Sequence, residues 1–154
     1  MKIEDAIQQT KPFQSPIQKL IVNLLYTSGW VESQMIRSLK AFDLSPQQFN
    51  ILRILRGKSP ESMCLNDIGA RMLDKNSNVS RIIEKMVQKE LVERKVSATD
   101  RRYSELRITE LGLKKLEEID QREPRFDELL SSLSDEMIQT LNDGLDAIRM
   151  LEIK

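Results

Sequence analysis

The chain has 154 residues, about one domain's worth, and its 24 Lys and Arg balance 24 Asp and Glu to a formal net charge of 0. With 40% apolar and 31% charged residues it can build a core under a charged surface, which argues against a disordered or fibrous chain. The absence of His and the single Cys exclude Ser-His-Asp and Cys-His catalysis, His-containing zinc sites, thiolate cages and internal disulfides. An enzyme, a metal and a cofactor are therefore not expected.

Lone Cys64 suits a reducing compartment. No apolar run approaches the roughly 18 residues that span a bilayer, and no signal-peptide core follows Lys2. The expectation is a cytoplasmic protein with no membrane partner. The five Gly are too dispersed to form a phosphate-binding loop.

In chain order, residues 1–15 lack periodicity and read as a loose arm. A long helix is predicted from Ser15 or Pro16 to Phe42, carrying Ile17, Leu20, Ile21, Leu24, Leu25, Val31, Met35, Leu39 and Phe42 at helical spacing, with Gly29 as the place for a bend. Ser45-Pro46-Gln47-Gln48 starts the next helix: a Ser cap, Pro at the first helical position and Gln placed to close a capping box. It turns Phe49, Leu52 and Leu55 inward and stops near Gly57.

Leu65, Ile68 and Met72 mark a short third helix, and Asp74-Lys75-Asn76-Ser77 supplies a turn. From Ser77 a fourth helix has Val79, Ile82, Ile83, Met86 and Val87 on one face; the sum is a helix-turn-helix pattern. The period then becomes strand-like over Leu91 to Val96 and Ser104 to Ile108, two runs flanking a polar, basic tip at 97–102, so the segment reads as a hairpin wing. Thr109 caps a helix carrying Leu111, Leu113, Leu116 and Ile119. It continues or restarts around Pro124 through Phe126, Leu129 and Leu130. Ser134 caps the last helix, whose predicted buried line is Ile138, Leu141, Leu145, Ile148 and Leu151.

The distribution of charge is more informative than its sum. Residues 1–70 carry eight basic and six acidic side chains, residues 71–109 ten and six, residues 110–154 six and twelve. Net charges of +2, +4 and −6 follow, with the positive excess on the helix-turn-helix and wing.

The segment Asn78 to Arg94, followed by Asp100-Arg-Arg-Tyr-Ser-Glu-Leu-Arg-Ile-Thr-Glu-Leu-Gly112, resembles the MarR family of winged-helix transcriptional regulators. The likeness is strongest from Leu65 to Leu116, and its most specific piece is Asp100-x-Arg102 followed by Leu106-x-Ile108-Thr109-x-x-Gly112. One departure is Glu90, where the family commonly has Gly in a left-handed conformation at the helix end.

The resemblance implies a mainly α fold with a small β-hairpin wing (α+β), a winged helix-turn-helix with N- and C-terminal dimerisation helices. Residues 1–44 would be the arm and first dimerisation helix, 45–109 the DNA-binding lobe and 110–154 the C-terminal dimerisation helices, all in one structural domain. The implied protein is a homodimeric repressor on double-stranded DNA, reading a pseudo-palindromic operator with recognition helices about 34–36 Å apart. A small aromatic or phenolic effector would release it.

With its apolar face inward, the fourth helix presents Asn76, Ser77, Asn78, Ser80, Arg81, Glu84 and Lys85 outward. Arg81 suits a guanine edge, Asn78 an adenine edge, and Ser80 a base or a phosphate; Ser77 is an alternative cap. By resemblance, Arg102 enters the minor groove with Asp100 holding its guanidinium, while Arg101 and Lys95 are expected phosphate contacts. Tyr26, Trp30, Ser33 and Phe49 are candidates for an effector pocket, and equally for core or dimer interface. Cys64 reads as a bystander. The alternative function is a helical dimeric interaction module of the same fold without specific DNA binding, which Glu84 and Glu90 near the groove favour slightly.

Overall fold

The computed structural model describes residues 1–96, 104–122 and 130–151. Its elements are α1 (Ile3–Ala6), α2 (Pro16–Leu39), a 3₁₀ turn (Lys40–Phe42), α3 (Pro46–Arg56), α4 (Leu65–Arg71), α5 (Val79–Gln88), β1 (Val92–Val96), β2 (Ser104–Ile108), α6 (Glu110–Arg122) and α7 (Asp135–Arg149). They fall into two compact units, residues 1–119 and 120–154. Expectations for Pro124, Phe126 and Leu129, and for the wing tip at Asp100, Arg101 and Arg102, lie outside the described residues.

The arm is not loose. Ile3 is buried, and Lys19 Nζ donates to Glu4 Oε1 at 2.6 Å, which holds the Glu4 carboxyl below the usual range. A helix of four residues is too short to show a period, so the sequence pattern could not reveal it. Ser15 accepts from the Gln18 N–H to start α2, with Pro16 at its first position. The helix then runs 24 residues without a break at Gly29. Along its apolar face Ile17, Leu20 and Ile21 are exposed, Leu24, Val31 and Met35 half-buried, and Leu39 buried. Only its C-terminal end enters the core.

The predicted capping box is complete: Ser45 Oγ accepts from Gln48 N–H at 3.2 Å and Gln48 Oε1 accepts from Ser45 N–H at 3.0 Å. It orients α3 so that Ile51, Leu52 and Leu55 fill the centre of the first unit. Around them pack Leu39, Phe42, Ile68, Met72, Ile83, Met86, Leu91, Val92, Leu106, Ile108, Leu116 and Ile119. The two strands pair antiparallel, Val92 opposite Ile108 and Val96 opposite Ser104, and Met63 adds an isolated bridge to Leu106 on the other edge. Val92, Leu106 and Ile108 put the inner face of this hairpin into the core.

In the second unit Ser134 accepts from Met137 N–H and caps α7 as predicted. The predicted buried line along α7 is corrected: none of its residues is buried, and Ile138, Leu141, Leu145, Ile148 and Leu151 are all exposed. The period marks an apolar face rather than a buried one.

Candidate nucleic-acid interface

The α4–α5 turn is held by one carboxylate. Asp74 accepts from the Asn76 N–H at 3.0 Å and from the Ser77 hydroxyl at 2.9 Å, and these donors hold its carboxyl below the usual range. Asn78, rather than Ser77, is the N-cap of α5; its Oδ1 accepts from the Arg81 N–H at 3.1 Å. The cap therefore falls one residue later than predicted because Ser77 is already bound to Asp74. Asn76 and Asn78 are exposed, and the carbonyl of Asn78 is engaged by the helix it starts.

Ile83 and Met86 anchor α5 in the core, with Val79, Ile82 and Val87 packed against it. The opposite face carries Ser80, Arg81, Glu84, Lys85 and Gln88, of which all but half-buried Ser80 are exposed. Among the described residues no ion pair engages Arg81, Glu84 or Lys85, so the Arg81–Glu84 pair that helical spacing permits is not made. Two cations and one carboxylate are thus presented together on a rigid helix. At its far end Lys89 Nζ donates to Asp43 O and Asp43 Oδ2, both at 2.7 Å, tying the end of α5 to the end of the 3₁₀ turn.

The strand register sorts the wing's charges. Val92, Arg94 and Val96 share a face with Ile108, Leu106 and Ser104, whereas Glu93, Lys95, Glu105 and Arg107 share the other. Lys95 lies on that outer face, 3.3 Å from Glu93. Arg94 lies on the inner face and borders a cleft of about 310 Å³ lined by Cys64, Leu65, Asn66, Ser80, Ser104 and Leu106. Sequence reasoning passed over Arg94, although the alternation Val92-x-Arg94-x-Val96 carried the signal.

The four residues expected around an effector do not converge. Tyr26, Trp30 and Ser33 lie along one side of α2 and are exposed, with Ser33 Oγ donating to Gly29 O, while Phe49 is half-buried beneath the Arg53 guanidinium, 5.7 Å from its ring centre. A groove of about 430 Å³ instead follows the other side of α2, lined by Ser28, Val31, Glu32 and Met35 from that helix and by Pro46, Gln47, Asn50, Met72, Leu73 and Asp74. Helical spacing put Tyr26 and Trp30 together but gave no means of choosing the side that faces α3.

Residues 42–102 match the sequence model described as the MarR family. The chain is 30% identical over 131 residues to the HTH-type transcriptional regulator MhqR of Bacillus subtilis (strain 168), covering 84% of this chain and 89% of that one. The chain belongs to the MarR family. It is also 29% identical over 126 residues to the HTH-type transcriptional repressor IacR of Pseudomonas putida, covering 81% of this chain and 71% of the relative. A crystal structure of an S. aureus MepR–DNA complex superposes with a TM-score of 0.71 at 25% identity, over 81% of this chain and 91% of that one. As a MarR-family protein, the chain is a transcriptional regulator with the winged helix-turn-helix fold, built from mostly helical elements and one two-stranded hairpin. Among its described residues no helix is long and apolar enough to cross a membrane.

Proposed function

We propose that this MarR-family regulator is a cytoplasmic repressor that binds a pseudo-palindromic operator as a homodimer, one half-site per subunit, with no catalytic step of its own. The observation that carries the reading is the outward face of α5, where Ser80, Arg81 and Lys85 have no carboxylate partner among the described residues, on a helix anchored by Ile83 and Met86. Arg81 reads a guanine edge, Ser80 and Lys85 reach base edges or phosphates, and Asn76, Ser77 and Asn78 lie along the backbone at the helix start. Asp100, Arg101 and Arg102 complete the interface at the wing tip. That MepR has been solved on DNA and that IacR is named a repressor both support this reading.

The terminal segments, 1–44 and 110–154, supply the dimer contacts. Support comes from the exposed apolar faces of α2 and α7, which a partner chain would cover. An aromatic or phenolic effector fits the groove between α2 and α3, whose volume lies within the range of small-molecule sites and whose lining is mainly apolar. Tyr26, Trp30, Ser33 and Phe49 then act outside that groove, as interface or packing residues.

Selection of bound duplexes from a random pool, followed by anisotropy titrations at several salt concentrations, tests the reading. The expected result is an enriched pseudo-palindrome and an Arg81→Ala variant that loses about 1–3 kcal/mol with relaxed preference at one position per half-site. Weak binding equal for all sequences would overturn it in favour of an interaction module.

A further inference from the structure

An arginine at position 94 is out of place for a hairpin that serves only as scaffold. Its face-mates Val92, Leu106 and Ile108 are buried apolar residues, so alternation calls for another apolar side chain or, where the hairpin leaves the core, a neutral one. The cations on the outer face have carboxylates nearby: Lys95 is 3.3 Å from Glu93 and Arg107 is 3.9 Å from Glu105. Among the described residues Arg94 has none. It is exposed at the mouth of the cleft between the wing and α5, with the hydroxyls of Ser80 and Ser104 and the amide of Asn66 lining the same space. A guanidinium beside three uncharged hydrogen-bonding residues, with no carboxylate among the described lining residues, is a site for an anion.

We propose that this cleft holds one backbone phosphate of the bound duplex and that Arg94 is its principal ligand, with Asn66, Ser80 and Ser104 as neutral partners. The inference rests on the DNA-binding reading above and deepens it. A strand that has α5 on one side and the wing on the other passes this cleft, so a phosphate fixed here sets the register of the protein on the helix without reading sequence. Lys95, on the opposite face of the hairpin and beside Glu93, does not share this role.

Duplexes carrying a single neutral methylphosphonate linkage, moved one position at a time through the selected operator, test it with wild type and Arg94→Gln. Wild type is expected to weaken about tenfold at one linkage per half-site. Arg94→Gln should be weaker by a similar factor on the unmodified duplex and insensitive to that linkage. Its slope of log K against log salt should fall by about 0.9 per site, or nearly two for a symmetric dimer, with base preference unchanged. If Arg94→Gln keeps the wild-type slope, or is weakened further by every linkage that weakens wild type, the proposal is wrong. If wild type selects no duplex, it is the DNA-binding reading itself that fails. Thermal unfolding guards against a folding artefact, and Arg94→Lys, which keeps the charge, should recover most of the salt slope.

Discussion

A methyl group added to Gly112 would sit 2.5 Å from the Leu91 carbonyl oxygen and 2.7 Å from Ile108 Cγ1. Neither neighbour is free to yield, since Leu91 O also accepts from the Thr109 N–H at 3.2 Å and Ile108 is held in the β-ladder. Thr109 completes the joint: its Oγ1 accepts from the Gly112 N–H at 3.0 Å and donates to Glu90 O at 2.7 Å, so one hydroxyl caps α6 and ties it to the end of α5. The pattern Thr109-x-x-Gly112 was visible as a motif, yet its cause was not, because the tightest contact of the glycine comes from Leu91, on the far side of the hairpin in sequence. Gly112→Ala is expected to cost about 1–3 kcal/mol through overpacking. A urea midpoint equal to that of wild type would refute this account.

At the level of elements, α5 ends in a double closure that glycine usually supplies. Leu91 N–H bonds to Met86 O at 2.9 Å, Glu90 N–H bonds to Val87 O at 3.0 Å, and Glu90 sits at φ 58°. Glu90→Gly removes the left-handed strain while leaving the carbonyl that Thr109 uses, and it should stabilise the fold by about 1 kcal/mol. A raised urea midpoint with an unchanged slope would bear this out, and a lowered midpoint would refute it. The capped helices were legible because their signals are local: Ser15, Ser45 and Ser134 each start a helix as expected. What escaped was what needs a partner element. The single turn of α1 is held by Lys19, fifteen residues away from Glu4. The facing of Lys95 and Arg94 depends on strand register, and the groove beside α2 depends on which of its sides α3 meets.

Viewed as a whole molecule, the chain leaves apolar side chains exposed along two of its described helices. On α7 Ile138, Leu141, Leu145 and Ile148 are each at least 36% exposed, and on α2 Ile17 and Ile21 are 69% and 52% exposed. Covering such side chains is worth about 1.5–3 kcal/mol each when burial is complete, enough in sum to drive stable association. If the proposed dimer forms through this face, replacing Leu141 and Leu145 together with Asp should yield a monomer in sedimentation, with operator affinity reduced to that of a single half-site. A double variant that sediments as wild type does would exclude α7 from the interface. The long helix has a mechanical meaning as well. At 24 residues α2 is a rod of about 36 Å, and Leu39 and Phe42 clamp its last turns into the lobe that carries α5. A tilt of α2 by about 10° about its free end would therefore carry the lobe through about 6 Å, more than the rise of one base pair.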